Sequence, residues 1–474
     1  VKVLFLNPPS FEGFDGGAGS RYQARREIRS FWYPTWLAQP AALVPDCKLV
    51  DAPADDLSVD QVLAMAPHFD LCVIHTSTPS LGNDGETARR MKAVNPKLMV
   101  GFVGAQAAVL PNQTLDSCES VDFVARKEFD FTIKEIAEGR PLDKVDGISY
   151  RKDGRIVHNK ERALIHDMDG LPHVIDVYKR DLTVENYYIG YLLHPYVSLY
   201  TGRGCTSKCT FCLWPQTMGG HVYRVRSADS VYQEMKKAKE YFPQVKEFFF
   251  DDDTFTSDLP RAEAIARKLK TLGITWSCNA KANVPYETLK VLKDCGLRLL
   301  LVGYESGNQN ILNNIKKGIR IDRAREFSQN CRKLGIRIHG TFILGLPGET
   351  RTTIEETMKF ACEIDPHTIQ VSLAAPYPGT ELYKQAEENG WFAKDSHHVN
   401  NSGIQTAALQ YEGLSAREIF ESVERFYKRF YMRPRPILRI MGDMVRDKQE
   451  MKRRLREGAE FFSFMNKRKE PVAH

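Results

Sequence analysis

The sequence predicts an α/β protein in which a doubly wound parallel sheet is followed by a partial (β/α)6 barrel and a helical C-terminal tail. Three observations predict it. Two separate stretches alternate short apolar segments with helix-length amphipathic ones, a turn-rich break divides them, and the chain closes on a basic, aromatic segment. The first stretch covers residues 1–140, the break 141–190, the second stretch 191–395 and the tail 396–474. At 474 residues the chain exceeds one ordinary domain.

In the front stretch, strands are read at residues 3–6, 47–51, 71–75, 98–103 and 121–124, with helices such as 59–66 and 83–94 between them. A sheet wound in this way binds ligands beyond the carboxyl ends of its strands. Those ends carry Asn7-Pro8-Pro9, Asp51-Ala52-Pro53, Thr76-Ser77-Thr78, Gly104-Ala105-Gln106 and Lys127-Glu128. The run 13–29 is rich in Gly and Arg, has no periodicity, and reads as a long functional loop or cover. Residues 147–150 and 155–157 flank a Lys152-Asp153-Gly154 turn and form a small β-rich linker. In the second stretch, strands fall at 197–200, 247–250, 275–278, 299–302, 338–344 and 368–374. Six such units suit an open barrel with its site at the C-terminal strand ends.

Ten cysteines are present, and seven stand alone in apolar or helical segments (47, 72, 118, 278, 295, 331 and 362), where they read as buried thiols. No apolar stretch approaches the roughly 18–20 residues needed to cross a bilayer. The opening Val1-Lys2-Val3-Leu4 reads as a strand and not as a cleavable signal, so the expected location is the cytoplasm. Residues 411–474 hold 16 Lys/Arg and 10 Asp/Glu, which accounts for the whole net charge of +6. There the cations interleave with Phe420, Phe426, Phe430, Tyr431, Ile437, Leu438, Met441, Phe461, Phe462 and Phe464. This pattern suits peripheral contact with anionic lipid at the inner face of the membrane. It equally suits a helical packing face beneath a solvated one. No RNA-binding module accompanies the charge, so nucleic acid is not an expected partner.

The remaining cysteines form Gly202-Arg203-Gly204-Cys205-Thr206-Ser207-Lys208-Cys209-Thr210-Phe211-Cys212, a CxxxCxxC spacing just after a strand. Three thiolates on one tight loop leave one iron of a [4Fe–4S] cube open to another ligand. The two glycines let backbone approach such a group closely. The competing reading is structural zinc, which normally takes four protein ligands. His221 is the near candidate for a fourth.

With Phe211 before the third cysteine, this segment resembles the radical SAM superfamily. The resemblance implies that Cys205, Cys209 and Cys212 hold a [4Fe–4S] cluster whose open iron chelates S-adenosylmethionine. An electron from a reducing partner such as flavodoxin or ferredoxin then yields methionine and a 5′-deoxyadenosyl radical. Downstream segments match in order: Phe250-Asp251-Asp252-Asp253, Gly303-Tyr304-Glu305-Ser306-Gly307, Gly345-Leu346-Pro347-Gly348-Glu349 and Ser372-Leu373-Ala374. They imply cosubstrate contacts at Phe211, Asp252, Glu305, Ser306, Gly345, Ser372 and Ala374. Each acid alone also reads as a solvated turn or helix N-cap. Tyr223 and His339 are the candidates for proton transfer at the barrel mouth.

A Rossmann-like sheet ahead of such a barrel resembles the cobalamin-dependent radical SAM class. It implies cobalamin contacts at Pro8, Pro9, Thr76, Ser77, Thr78, Gly104, Ala105, Gln106 and Glu128. The sequence departs from the usual pattern around Gly104 and Glu128, and it has no Asp-x-His-x-x-Gly run for a histidine-ligated cobalt. His75 therefore reads as a structural histidine, and the alternative for the sheet is a substrate cover. Across nearly its full length the chain looks like the hopanoid-biosynthesis-associated radical SAM proteins of the J type. The segments are Tyr200-Thr201-Gly202, Cys212-Leu213-Trp214-Pro215-Gln216-Thr217, Gly219-Gly220-His221-Val222-Tyr223 and Phe31-Trp32-Tyr33-Pro34. That resemblance implies contraction of the glucosamine ring of glucosaminyl bacteriohopanetetrol, a lipid-linked sugar, to the cyclitol ether. The alternatives are a cobalamin-dependent methyltransferase acting on an unactivated carbon of a lipid or natural product, and a cluster-bearing scaffold or redox sensor.

Overall fold

The computed structural model describes residues 1–11, 30–394, 404–446, 451–452, 455–460 and 463. The readings of residues 13–29 and of Phe461, Phe462 and Phe464 lie outside the described residues.

The front sheet is built on β1 (Val3–Asn7), β2 (Cys47–Asp51), β3 (Leu71–His75), β4 (Met99–Val103) and β5 (Phe123–Ala125), all parallel. Strand β1 is buried along its whole length, as a continuous apolar run covered on both faces should be. Leu4, Leu6, Ile74 and Phe102 pack on one face, while Phe5, Val73 and Phe123 join the core shared with the barrel. The order β2-β1-β3-β4-β5 places β1 between a strand that follows on each side. The winding therefore reverses between β1 and β3, where such sheets open a cleft.

The hairpin read as a separate linker belongs to this sheet. Strand β6 (Ile148–Lys152) pairs antiparallel with β5, and β7 (Arg155–His158) follows it. A short β5 left as an edge would expose unpaired amides, and the hairpin covers them. Arg126 holds it, donating to the Ile148 carbonyl at 2.7 Å and the Asn159 carbonyl at 2.6 Å.

The second unit begins at β8 (Tyr196–Leu199), followed by a short ribbon of β9 (Gly202–Arg203) and β10 (Arg224–Val225). Five further parallel strands complete an open six-stranded sheet: β11 (Glu247–Phe250), β12 (Trp276–Ala280), β13 (Leu297–Glu305), β14 (Arg337–Leu344) and β15 (Thr368–Leu373). Alternation on β14 and β15 buries Phe342, Leu344, Val371 and Leu373 under helices. Thr341, Ile343, Gln370 and Ser372 stay half-buried on the concave face. The interior is thus not filled as in a closed barrel.

The tail is split by the structure. Helix Ala416–Tyr431 buries Phe426, Tyr427 and Phe430 against the barrel, so these aromatics are core and not an interfacial surface. Phe420 and Tyr431 pack at its margin. Helix Pro434–Arg446 instead exposes Ile437, Leu438 and Met441. The outer edge of β15 meets no strand among the described residues. Its Val371 and Ile369 amides donate to the Tyr427 and Tyr431 hydroxyls, each at 3.0 Å, and Gln405 bonds the Leu373 carbonyl at 3.0 Å. Tyr427→Phe and Tyr431→Phe are each expected to cost about 1–3 kcal/mol in urea unfolding, because each strands a buried amide.

Candidate active site

The cysteine loop is clamped before it reaches any ligand. Gly204 has φ +84°, and a Cβ there would lie 2.3 Å from the Val222 carbonyl oxygen, so only glycine lets the two sides of the ribbon pass. The Gln216 amide donates to the carbonyls of Cys209, Thr210 and Cys212 at 3.3, 3.2 and 2.7 Å, and its own carbonyl accepts from the Glu381 amide at 2.8 Å. Thr210 is tied to the barrel through its amide to Ile315 at 3.1 Å and its carbonyl to Leu382 at 2.9 Å. Phe211 packs in one apolar cluster with Ile343, Leu346 and Ala374, which sets the loop over the C-terminal ends of β14 and β15.

None of the three thiols is in a disulfide; Cys205 and Cys209 are buried and Cys212 is half-buried. Among the described residues no three His, Cys, Asp or Glu side chains converge as a single ion requires. The exposed His221 spends its Nδ1 on the Ser207 carbonyl at 2.9 Å. The donor set therefore fits a multi-iron cluster with one iron left open better than it fits zinc.

Beside the thiols lies a buried ion pair absent from the sequence reading. Lys317 Nζ donates to Glu305 Oε1 at 2.6 Å. Burial pushes the Cys209 thiol up, and Lys317 opposes that while Glu305 adds to it. Glu305 sits at the end of β13 with φ +63°, and a Cβ on Gly303 would fall 2.3 Å from its Oε1. No spacing in the sequence singles out Lys317, because its partners lie across the fold.

The other expected cosubstrate residues divide. Gly345, with φ +86°, stands against Ile419 and Ala374, and a Cβ there would fall 3.2 Å from an Ile419 methyl group. Ser372 faces the concave side and accepts from Gln370 Nε2 at 3.3 Å. Ser306 is fully buried and serves a turn, meeting the Thr357 hydroxyl and the Asn308 amide, each at 3.1 Å. Asp252 is fully buried and committed: it accepts from the Thr201 amide and hydroxyl at 2.5 and 2.6 Å and from Tyr223 at 2.6 Å. Burial and Asp252 push the Tyr223 phenol well up, so this hydroxyl is a strut under the loop. His339 lies near the start of β14, at the end of the barrel away from the cysteines, stacked on Tyr191 at 3.9 Å and bonded to Thr368 at 2.7 Å. Burial pushes its ring down to about 3. A strand sequence shows which residues are present, but its direction in the barrel decides which end they face.

Glu349 gives the site a pH signature. Burial pushes its carboxyl up to about 8, against bonds from the Gly345 and Leu346 amides. The folded state therefore holds a proton that the unfolded chain releases near its ordinary 4.5. Stability is full below that value and falls by about 1.4 kcal/mol per pH unit until the folded group ionises near 8. Urea midpoints across this window are expected to lose that slope in Glu349→Gln.

The front cleft opens toward the same loop. Pro8 and Pro9 are buried after β1, and Thr78 donates to Gln106 at 2.8 Å across the strand ends. Ser77 caps the short turn through Ser80. Gly104, φ +111°, would place a Cβ 2.4 Å from the Thr76 carbonyl oxygen. His75 Nε2 is buried and has no hydrogen-bond partner, and burial pushes its ring down to about 4. A neutral imidazole left unsatisfied at a switch-point cleft, with a glycine cradle beside it, fits a large ligand rich in hydrogen-bonding groups. Glu128 is not free for such a ligand. It chelates Arg224 at 2.7 and 2.7 Å and accepts from the Ile165 amide at 2.8 Å, while the neighbouring Arg203 pairs with Asp130 at 2.8 and 2.7 Å. Ala105 packs on Leu213, and Trp214 stacks on Trp36 at 5.3 Å with His75 6.2 Å away. An aromatic layer thus joins the cleft to the cysteine loop.

Residues 199–361 match the family model described as Radical SAM superfamily. The chain is 29% identical to an uncharacterized methyltransferase of Pyrococcus horikoshii, over 93% of this chain and 94% of that protein. It is 30% identical to the hopanoid C-3 methylase of Methylococcus capsulatus, over 42% of this chain and 38% of that one. The fold matches the radical S-adenosylmethionine methyltransferase TsrM of Kitasatospora setae, solved with cobalamin and a [4Fe–4S] cluster. The TM-score is 0.68 at 14% identity, over 98% of this chain and 99% of that one.

Proposed function

We propose that this protein is a cobalamin-dependent radical SAM enzyme that transfers a methyl group to an unactivated carbon of a lipid or natural product. One observation carries the reading: a clamped loop of three cysteines faces the switch-point cleft of a cobalamin-type sheet across the Trp36–Trp214 layer. The relation to methyltransferases over nearly the whole chain supports the reaction class, and the hopanoid methylase relation supports a lipid substrate. When bound, the cluster supplies the electron that cleaves S-adenosylmethionine and the cobalamin carries the methyl group. Cys205, Cys209 and Cys212 hold the cluster, and Gln216 keeps their loop from collapsing in its absence. Phe211, Gly345 and Ala374 offer an apolar bed, while Glu305 and Lys317 present paired charge to the amino-acid end of the cosubstrate. Electrons come from a flavodoxin or ferredoxin in the cytoplasm. Among the described residues no helix is long and apolar enough to cross a membrane.

A second reading is the ring contraction of glucosaminyl bacteriohopanetetrol. It rests on the resemblance of the segments flanking the cysteine loop, Cys212-Leu213-Trp214-Pro215-Gln216-Thr217 and Gly219-Gly220-His221-Val222-Tyr223, to the J-type proteins. Reconstituted protein, incubated anaerobically with reductant, cobalamin, S-adenosylmethionine and glucosaminyl bacteriohopanetetrol, separates the two. A product heavier by one methyl together with S-adenosylhomocysteine supports methylation, and a cyclitol ether without added carbon supports contraction. A loaded cluster that releases no 5′-deoxyadenosine would sink both.

A further inference from the structure

Eleven large apolar side chains are exposed among the described residues, and seven of them fall between residues 432 and 455. They are Met432, Ile437, Leu438, Met441, Val445, Met451 and Leu455, with Val445 86% and Leu438 66% exposed. On helix Pro434–Arg446, Leu438, Met441 and Val445 repeat at helical spacing and form one stripe. A monomeric soluble protein seldom leaves so many apolar groups together in water. The neighbouring helix Ala416–Tyr431 shows the contrast, since its aromatic face is spent on the barrel.

Charge names the occupant. Residues 432–456 hold nine Lys/Arg and three Asp/Glu, so this short segment carries the net +6 of the entire chain. A second copy seated on the same face would bring like charge against like. An anionic lipid surface complements both the apolar stripe and the net positive charge of this segment. The helix is also held in a fixed pose: Arg433 and Arg439 grip the turn before β15, with Arg433 at 2.6 Å from Asp365 and Arg439 at 2.9 Å from the Pro366 carbonyl. That turn lies at the end of the barrel opposite the cysteine loop, so a bilayer there leaves loop and front cleft uncovered.

We propose that helix Pro434–Arg446 docks the protein on anionic lipid, with Leu438, Met441 and Val445 entering the interface. The inference stands apart from the chemistry proposed above and is tested without turnover. Full-length protein is sedimented with phosphatidylcholine vesicles, with and without phosphatidylglycerol, at low and high salt. Binding is expected only with phosphatidylglycerol, to weaken as salt rises, and to fall at least about tenfold in Leu438→Glu/Met441→Glu. Both positions lie outside the core, so the double variant should keep the wild-type urea midpoint. Equal binding by the variant would overturn the proposal, as would no binding by the wild type. So would a wild-type dimer in light scattering that the variant abolishes without any vesicle binding, which would assign the face to a second copy.

Discussion

Cys209→Ala protein, prepared without iron, is expected to unfold close to the wild type and yet to take up no stable cluster. The side chain is buried, so losing its sulfur costs about 1 kcal/mol in packing. The loop itself is held by other residues: Gln216 on three carbonyls, Gly204 under the Val222 carbonyl and Thr210 pinned on both sides. Loss of a metal's outer hydrogen-bond partner typically costs 10–100-fold in metal affinity or activity, and loss of a ligand should exceed about 100-fold. The visible absorbance after anaerobic reconstitution and the release of 5′-deoxyadenosine should both collapse. A variant with wild-type absorbance would mean that the three thiols do not share one cluster. Alanine at Cys278, buried in β12, is the matched control and should leave both signals in place.

The second large effect is expected at Arg224. Its guanidinium chelates Glu128 and also donates to the Gly219 and Ile165 carbonyls at 2.8 and 2.6 Å. Arg203, Arg224, Glu128 and Asp130 all have side chains no more than 3% exposed, so neither charge can turn to water. Arg224→Met leaves a buried carboxylate short of its main partner, a loss of about 3–5 kcal/mol in urea unfolding. Removing the acid as well, in Arg224→Met/Glu128→Leu, should recover part of that loss, because an apolar pair needs no solvation while the Ile165 amide still loses its acceptor. Additive losses in the double variant would count against a coupled pair. The network also fastens the front sheet to the ribbon beneath the cysteines, so the single variant should hold its cluster less firmly.

Local pattern carried most of the fold. Parallel strands such as β1 and β3 are apolar up to their last residue, and the six barrel strands follow one another in space as in sequence. What escaped is pairing at a distance. The 148–158 hairpin reads as a linker because nothing within it names β5 as its neighbour. The site divides along the same line. Three cysteines within eight residues announce themselves, whereas Lys317, Gln216 and Arg224 matter only through partners brought together by folding. Asp252 misleads for a related reason. An acid closing a barrel strand looks like a ligand contact, yet Thr201 and Tyr223 reach it first. In the tail, aromatic and cationic residues look alike along both helices, and only packing separates the buried Phe426 from the exposed Leu438.

The hydroxyls on the rim of β15 bear on how the chain is made. Tyr427 and Tyr431 leave the ribosome 56 and 62 residues after the β15 amides they cap. Until they arrive, the nascent barrel presents a row of unpaired amides to every other chain emerging nearby. Synthesis of helix Ala416–Tyr431 is therefore the step that ends this exposure, and chains halted before Tyr431 are the ones expected to demand chaperones.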